Sequence, residues 1–329
     1  MSAVRLHPAD GAPADQDTVR PEATGRRARR RHAGAAVATL LAVLGGTGCT
    51  LQAREGEGPG AELLAALDEA RYETPPPTGL TYVDAARANE LRAEDEDRFA
   101  FVARLGTPLL NLRDFPAERY GLDPEHAEAT VTVDFSAPYG YWDGTFEVAE
   151  ITGNLAADGF TERETEAGQV WVHHGRGLGL MVEEHRVRWG DEQLDPARTE
   201  ASGAPLADRD PYRDLAACLG EVYRADFVEA VEGSAVPFYA IGHRAAAVDD
   251  TSTVLCAVTA DEDTAADAQE RLRAEVTAGQ ARYAGAEVAA LDGPGGSPGV
   301  AVTVPDRPEQ RPGRLLDGDT DLTDALRAL

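Results

Sequence analysis

The chain has no lysine: all 31 of its basic residues are arginine, set against 58 acidic residues and a formal net charge of −27. Such an acidic surface repels phosphate backbones and anionic lipid head groups. It excludes nucleic acid as a partner, and any membrane attachment must rest on something other than surface charge. Cysteine is scarce, with three in 329 residues, which excludes a cysteine-dense scaffold and paired-cysteine metal sites. Long hydrophobic runs are missing too. The run from Ala33 to Leu44 is about a dozen residues, against the ~20 that a transmembrane helix needs. There is no Walker loop, dinucleotide fingerprint or zinc-protease motif, so no cofactor is expected. These absences exclude common cofactor enzymes more firmly than a hydrolase with dispersed residues.

What is present begins with an uneven charge. The first 48 residues carry seven arginines and four acids, which leaves 24 basic against 54 acidic residues in the remainder. Residues 1–32 hold almost no large apolar side chain and read as a disordered leader. The basic block Arg26 to His32, the apolar run Ala33 to Leu44 and the small residues Gly45-Gly46-Thr47-Gly48 before Cys49 follow the order of a signal peptide. The last five residues resemble the lipobox of bacterial lipoproteins, with Gly46 where leucine is commonest. That resemblance implies that residues 1–48 are removed and that Cys49 is lipidated. The chain would then sit on the extracytoplasmic face of the cell membrane, tethered by lipid. The alternatives are an ordinary secretory signal with an incidental cysteine, or an uncleaved N-terminal anchor. Gly25-Arg26-Arg27 is similar to a twin-arginine export signal but lacks the hydrophobic residues that should follow, so both export routes stay open.

Apart from Cys49 the only cysteines are Cys218 and Cys256, an even pair in a chain that reads as exported, and a disulfide between them is expected. It would close a loop of 38 residues, for which chain entropy gives roughly 3–4 kcal/mol. Two buried free thiols are the alternative.

Residues 49–60 read as the lipidated cysteine and a flexible Gly/Glu-rich spacer, and residues 61–124 as a helical segment. The latter has a short helix over Glu62–Arg71 and two helices between Leu80 and Leu105, divided by the acidic turn Glu94 to Asp97. Residues 125–205 read as a first α/β unit. Its parts are a strand over Ala129–Phe135, a loop over Tyr139–Gly144, a helix over Phe146–Asp158 ended by Gly159, and a hairpin of Gln169–His173 with Leu178–Val182. Residues 206–329 read as a second unit. It has helices over Leu215–Tyr223, Asp261–Thr277 and Leu322–Leu329, and strands over Phe238–Gly242, Thr253–Val258 and Val300–Val304. The expected class is α+β, two ferredoxin-like units in tandem after the leader, signal peptide and short helical segment.

Tyr82-Val83-Asp84, Gly144-Thr145-Phe146, Asp158-Gly159-Phe160 and Cys218-Leu219-Gly220 with Cys256 downstream give residues 80–304 a resemblance to uncharacterised exported lipoproteins of high-GC actinobacteria. The resemblance implies location and fold; none of these motifs is catalytic.

Candidate sites are few. Tyr139, Tyr141 and Trp142 in a Gly-bearing loop can stack on a sugar or accept a partner's side chain; the alternative is that, flanking a strand end, they cover the core. His173, His174 and His185, with Glu183 or Glu184, are a candidate zinc or copper set, although His173 and His174 face opposite ways on a strand. Gly295-Gly296-Ser297-Pro298-Gly299 matches a serine-hydrolase elbow formally. Pro298 lacks the amide such an elbow requires, and the turn reading is preferred. Asp317 to Asp321 begins like a calcium loop but offers Leu322 and Ala328 where glycine and glutamate belong. The expected function is therefore a non-catalytic binding module for an envelope protein or cell-wall ligand. The rivals are an enzyme on wall polymers with carboxylates as acid and base, and extracellular metal capture.

Overall fold

The computed structural model describes residues 60–72, 79–105, 117–134, 138–193, 203–230, 233–315 and 319–329. The signal region, Cys49 and nearly all of the spacer lie outside these residues, as do Phe135 and Asp317. The first half contains α1 (Ala61–Glu69), β1 (Arg71–Tyr72), β2 (Gly79–Asp84), α2 (Ala85–Glu94), α3 (Glu96–Leu105), β3 (Ala127–Asp134), β4 (Tyr139–Gly144), α4 (Val148–Ala157), β5 (Thr161–Thr165), β6 (Gly168–His173), β7 (Leu178–Val182) and β8 (Arg186–Asp191). The second contains β9 (Ala204–Pro205), α5 (Asp210–Leu219), β10 (Arg224–Glu229), β11 (Phe238–Ala247), β12 (Asp250–Val258), α6 (Glu262–Ala278), β13 (Glu287–Ala290), β14 (Gly299–Pro305) and α7 (Asp321–Arg327).

The class is α+β, built on one twelve-stranded sheet in the order β13-β14-β12-β11-β10-β2-β3-β4-β8-β7-β6-β5. Every neighbouring pair in it is antiparallel. The halves meet where β2 pairs with β10, from Val83 opposite Arg224 to Gly79 opposite Val228. On one side β4 leads through α4 to the far edge at β5, and the chain meanders back until β8 lies beside β4. On the other side β12 leads through α6 to the far edge at β13, and β14 returns beside β12. The short strands β1 and β9, next to α1 and α5, pair separately.

Strand alternation sorts the side chains into two layers. Helices α1 and α5 bury Leu63, Leu67, Leu215 and Leu219 on one face, against Leu80, Tyr82, Val131, Phe227 and Val254. The other face carries α4 on Trp142, Leu180 and Trp189, and α6 with α7 on Ile241, Leu255 and Val302. Ala88, Leu91 and Phe99 of α2 and α3 join it against Val83 and Tyr223. A disulfide joins Cys218 on α5 to Cys256 on β12, 38 residues apart, and ties that helix to the sheet. No helix among the described residues is long and apolar enough to cross a membrane.

Four expectations from the sequence need correction. Leu80 to Asp84, expected to open a helix, belong to β2 (Gly79–Asp84) at the centre of the sheet, and the helices begin at Ala85. Tyr139–Gly144, expected to be a loop, is β4. The helix expected over Leu215–Tyr223 is α5, which starts at Asp210 and stops at Leu219 because Gly220 takes φ +64°. Strands β5, β8, β10 and β13 were not expected at all.

Candidate functional site

The register of β2, β3 and β4 sets two rows of three residues side by side. Tyr82, Val131 and Tyr141 form one row. Asp84, Ala129 and Asp143 form the next. All six face the layer that holds α1, since alternate residues share a face. The small side chains on β3 leave a channel between taller ones on β2 and β4, and the two aspartates stand two strand spacings apart, roughly 10 Å. Helix α1 borders the channel with Glu62, Ala65, Ala66 and Glu69, the 1, 4, 5, 8 spacing of one helical face. The resulting groove has a volume of about 660 Å³. Its rim also carries Arg87, Glu90 and Glu128.

Arg186 closes one end. Its guanidinium grips both carboxylate oxygens of Asp143, at 2.5 and 2.8 Å, and reaches Glu69 of α1 at 2.7 Å. It also lies over the Tyr141 ring, 4.3 Å from the centroid, so helix and sheet are linked through one cation. At the other end the Asp84 carboxylate caps α2 by accepting the Arg87 amide at 2.8 Å.

Burial is the main electrostatic influence on these groups. It raises the Asp84 and Asp143 carboxyls above the ordinary aspartate range, with the Arg87 amide and the Arg186 guanidinium opposing it respectively. Burial also raises the phenols of Tyr82 and Tyr141, reinforced by Asp84 at the first and Glu69 at the second. Tyr82 is 3% exposed and Tyr141 9%. Among the described residues neither hydroxyl has a hydrogen-bond partner, and both side chains line the groove.

Of the three aromatics singled out in the sequence, only Tyr141 reaches this groove. Tyr139 shares its face but donates its hydroxyl to the Arg71 carbonyl at 2.6 Å. Trp142 points through the opposite face into the core and is fully buried. Gly140 between them accommodates an indole, because a Cβ there would lie 2.8 Å from the Trp189 ring and 2.2 Å from the Val131 carbonyl.

The histidines do not converge. The His173 ring packs edge-on against Phe160, and His174 pairs with Glu192 at 3.1 Å. His185 lies at the opposite end of β7 from His173, roughly 15 Å away by strand rise. Among the described residues no group of three or more His, Cys, Asp or Glu is placed to hold a metal ion. Ser297 sits in a turn whose amides, those of Gly295 and Ser297, point to the buried Asp214 carboxylate. Asp319 accepts the Tyr283 hydroxyl at 2.6 Å, and Asp321 pairs with Arg282. Tyr82 and the two groove aspartates were not singled out as site residues. Their only signal is the cross-strand register, which no local pattern carries.

No protein-family model matches this chain, and no curated protein matches it. A solved structure described as crystal form I of TP0453 is similar over 74% of this chain and 91% of that one, at 10% identity and a TM-score of 0.39. A likeness of that degree carries no argument about function.

Proposed function

We propose that the chain is an extracytoplasmic lipoprotein, tethered through Cys49, whose body is a non-catalytic binding module that uses the groove between α1 and β2, β3 and β4. The observation that carries the binding reading is the pair of largely buried tyrosines that line that groove with hydroxyls that have no hydrogen-bond partner among the described residues. Neither hydroxyl is sealed from solvent, so each is open to the groove, where an incoming ligand can take the place of water as its partner. The order of basic block, apolar run and Cys49 supports the tether, and the Cys218–Cys256 bridge suits an oxidising compartment. We read the sheet as two tandem α/β units related to the ferredoxin-like plan. The support is the shared path of strand, helix, far edge and return in both halves.

The test of the binding reading is in-cell crosslinking of the lipidated chain, compared with a control carrying only the signal and spacer. An adduct that requires the body, whether of a protein or of a small molecule, supports the module, and body adducts of neither kind above the control refute it. For the tether, Cys49→Ala is expected to release the protein from the membrane fraction to the medium; retention in the membrane refutes the anchor.

A second reading, a hydrolase acting on wall polymers, is favoured by two aspartates of raised pKa facing one groove. Both carboxylates already hold structural partners, Asp84 the α2 amide and Asp143 the Arg186 fork. The binding reading therefore takes precedence.

A further inference from the structure

The groove's lining bears on the chemistry of what it takes. Building on the binding reading above, we propose that the occupant is an organic cation, a primary ammonium on an alkyl stem. Six carboxylates border the groove, those of Glu62, Glu69, Asp84, Glu90, Glu128 and Asp143. Three guanidiniums answer them: Arg87 pairs with Glu90, Arg186 with Asp143 and Glu69, and Arg188, opposite Tyr141, is balanced by Glu183 outside the groove. Glu62 and Glu128 have no ion pair among the described residues. The excess is four negative charges around one cavity, which repels an anion and attracts a cation.

Charge alone does not make a site. The independent observation is that Tyr82 and Tyr141, each more than nine-tenths buried, both line this cavity, and among the described residues neither hydroxyl has a hydrogen-bond partner. An ammonium has three donors and no acceptor, so it can satisfy a phenol oxygen and carboxylates together. An alkyl stem has apolar surface to lie on, because Val131 and Ala129 form the floor and Ala65 and Ala66 the wall. A cavity of about 660 Å³ is within the range of small-molecule sites and accepts a chain longer than one side chain. A free amine and a lysine side chain share this chemistry.

The experiment is calorimetric titration of the full-length chain in detergent at fixed ionic strength with 1,5-diaminopentane, acetyl-trilysine amide, pentane-1,5-diol and glutarate. Saturable heat is expected from the diamine or the peptide, and none from the diol or glutarate. The tighter of the first two identifies the source. The double variant Tyr82→Phe/Tyr141→Phe removes only unpartnered oxygens, so its melting temperature is expected to be unchanged while its affinity falls about fivefold or more. Glu62→Gln/Glu128→Gln is expected to lower affinity about tenfold. Saturable binding of the diol but not of either amine overturns the cation and leaves the groove reading standing. Absence of amine binding at millimolar concentration, or full affinity in both double variants, also overturns the inference. The groove reading is then decided separately by the in-cell crosslink.

Discussion

The Ser297 amide donates to the carboxylate of Asp214 at 2.9 Å, joining residues 83 positions apart. Asp214 is completely buried, accepts the Gly295 amide as well, and so anchors the Gly293 to Ser297 turn to α5. Substituting it leaves two inward amides without an acceptor. Asp214→Ala is expected to destabilise the fold by about 2–4 kcal/mol, and Asp214→Asn by about half as much. Urea unfolding measures both. A change below about 0.5 kcal/mol for Asp214→Ala would mean that the turn does not depend on this carboxylate.

The disulfide gives a second prediction. Cys218→Ala/Cys256→Ala is expected to lose about 3–4 kcal/mol relative to the oxidised chain, because the 38-residue loop is no longer closed in the unfolded state. Denatured, unreduced protein should not take up an alkylating agent at either position. Alkylation of both would refute the bridge.

Acid sensitivity follows from His243. It is completely buried on β11, paired with the Thr253 hydroxyl at 3.2 Å, and has the Tyr223 ring and the Arg224–Asp226 pair as neighbours. Burial, with Arg224 adding to it, lowers its pKa to about 4. The unfolded chain takes up this proton near 6.5, so between pH 6.5 and 4 the unfolded state binds more protons. The stability due to neutral His243 is full above that window and is lost as pH falls through it, by about 3 kcal/mol across the whole span. Urea midpoints at pH 7 and 4.5 are expected to differ less in His243→Gln than in the parent. An identical difference would show that His243 is not responsible.

Gly140→Ala tests the close approach of β4 to its neighbours. The added Cβ would meet a backbone carbonyl that cannot turn aside and the Trp189 ring, and a loss of about 1–3 kcal/mol is expected. Unchanged thermal stability would contradict the geometry.

Much of the fold was legible where periodicity is undisturbed. Val131 and Val133 alternate on β3, Ile151 and Leu155 stripe α4 ahead of Gly159, and Asp261 caps the long α6 by accepting the Thr264 amide. Other strands lacked that signal for separate physical reasons. In β2, residues Leu80, Tyr82 and Val83 are all buried because helices cover both faces, which erases the period of two. The edge strand β5, Thr161 to Thr165, has no buried residue, and β10 turns Arg224 and Asp226 inward as a pair. The glycines of β4 read as loop punctuation, yet Gly140 makes room for an indole. The groove was the least legible feature. Tyr141 stood out as an aromatic, but its relation to Tyr82 exists only through β3.

The most direct test of the central claim, that the groove is the binding surface, places a photo-crosslinking residue at Ala65 on the groove wall or at exposed Glu270 on α6. Both variants are made in the full lipidated chain in cells. An adduct from position 65 that is absent from position 270, and that is lost in Tyr82→Phe/Tyr141→Phe, is the predicted result. Equal adducts from both positions, or none from position 65, would contradict it.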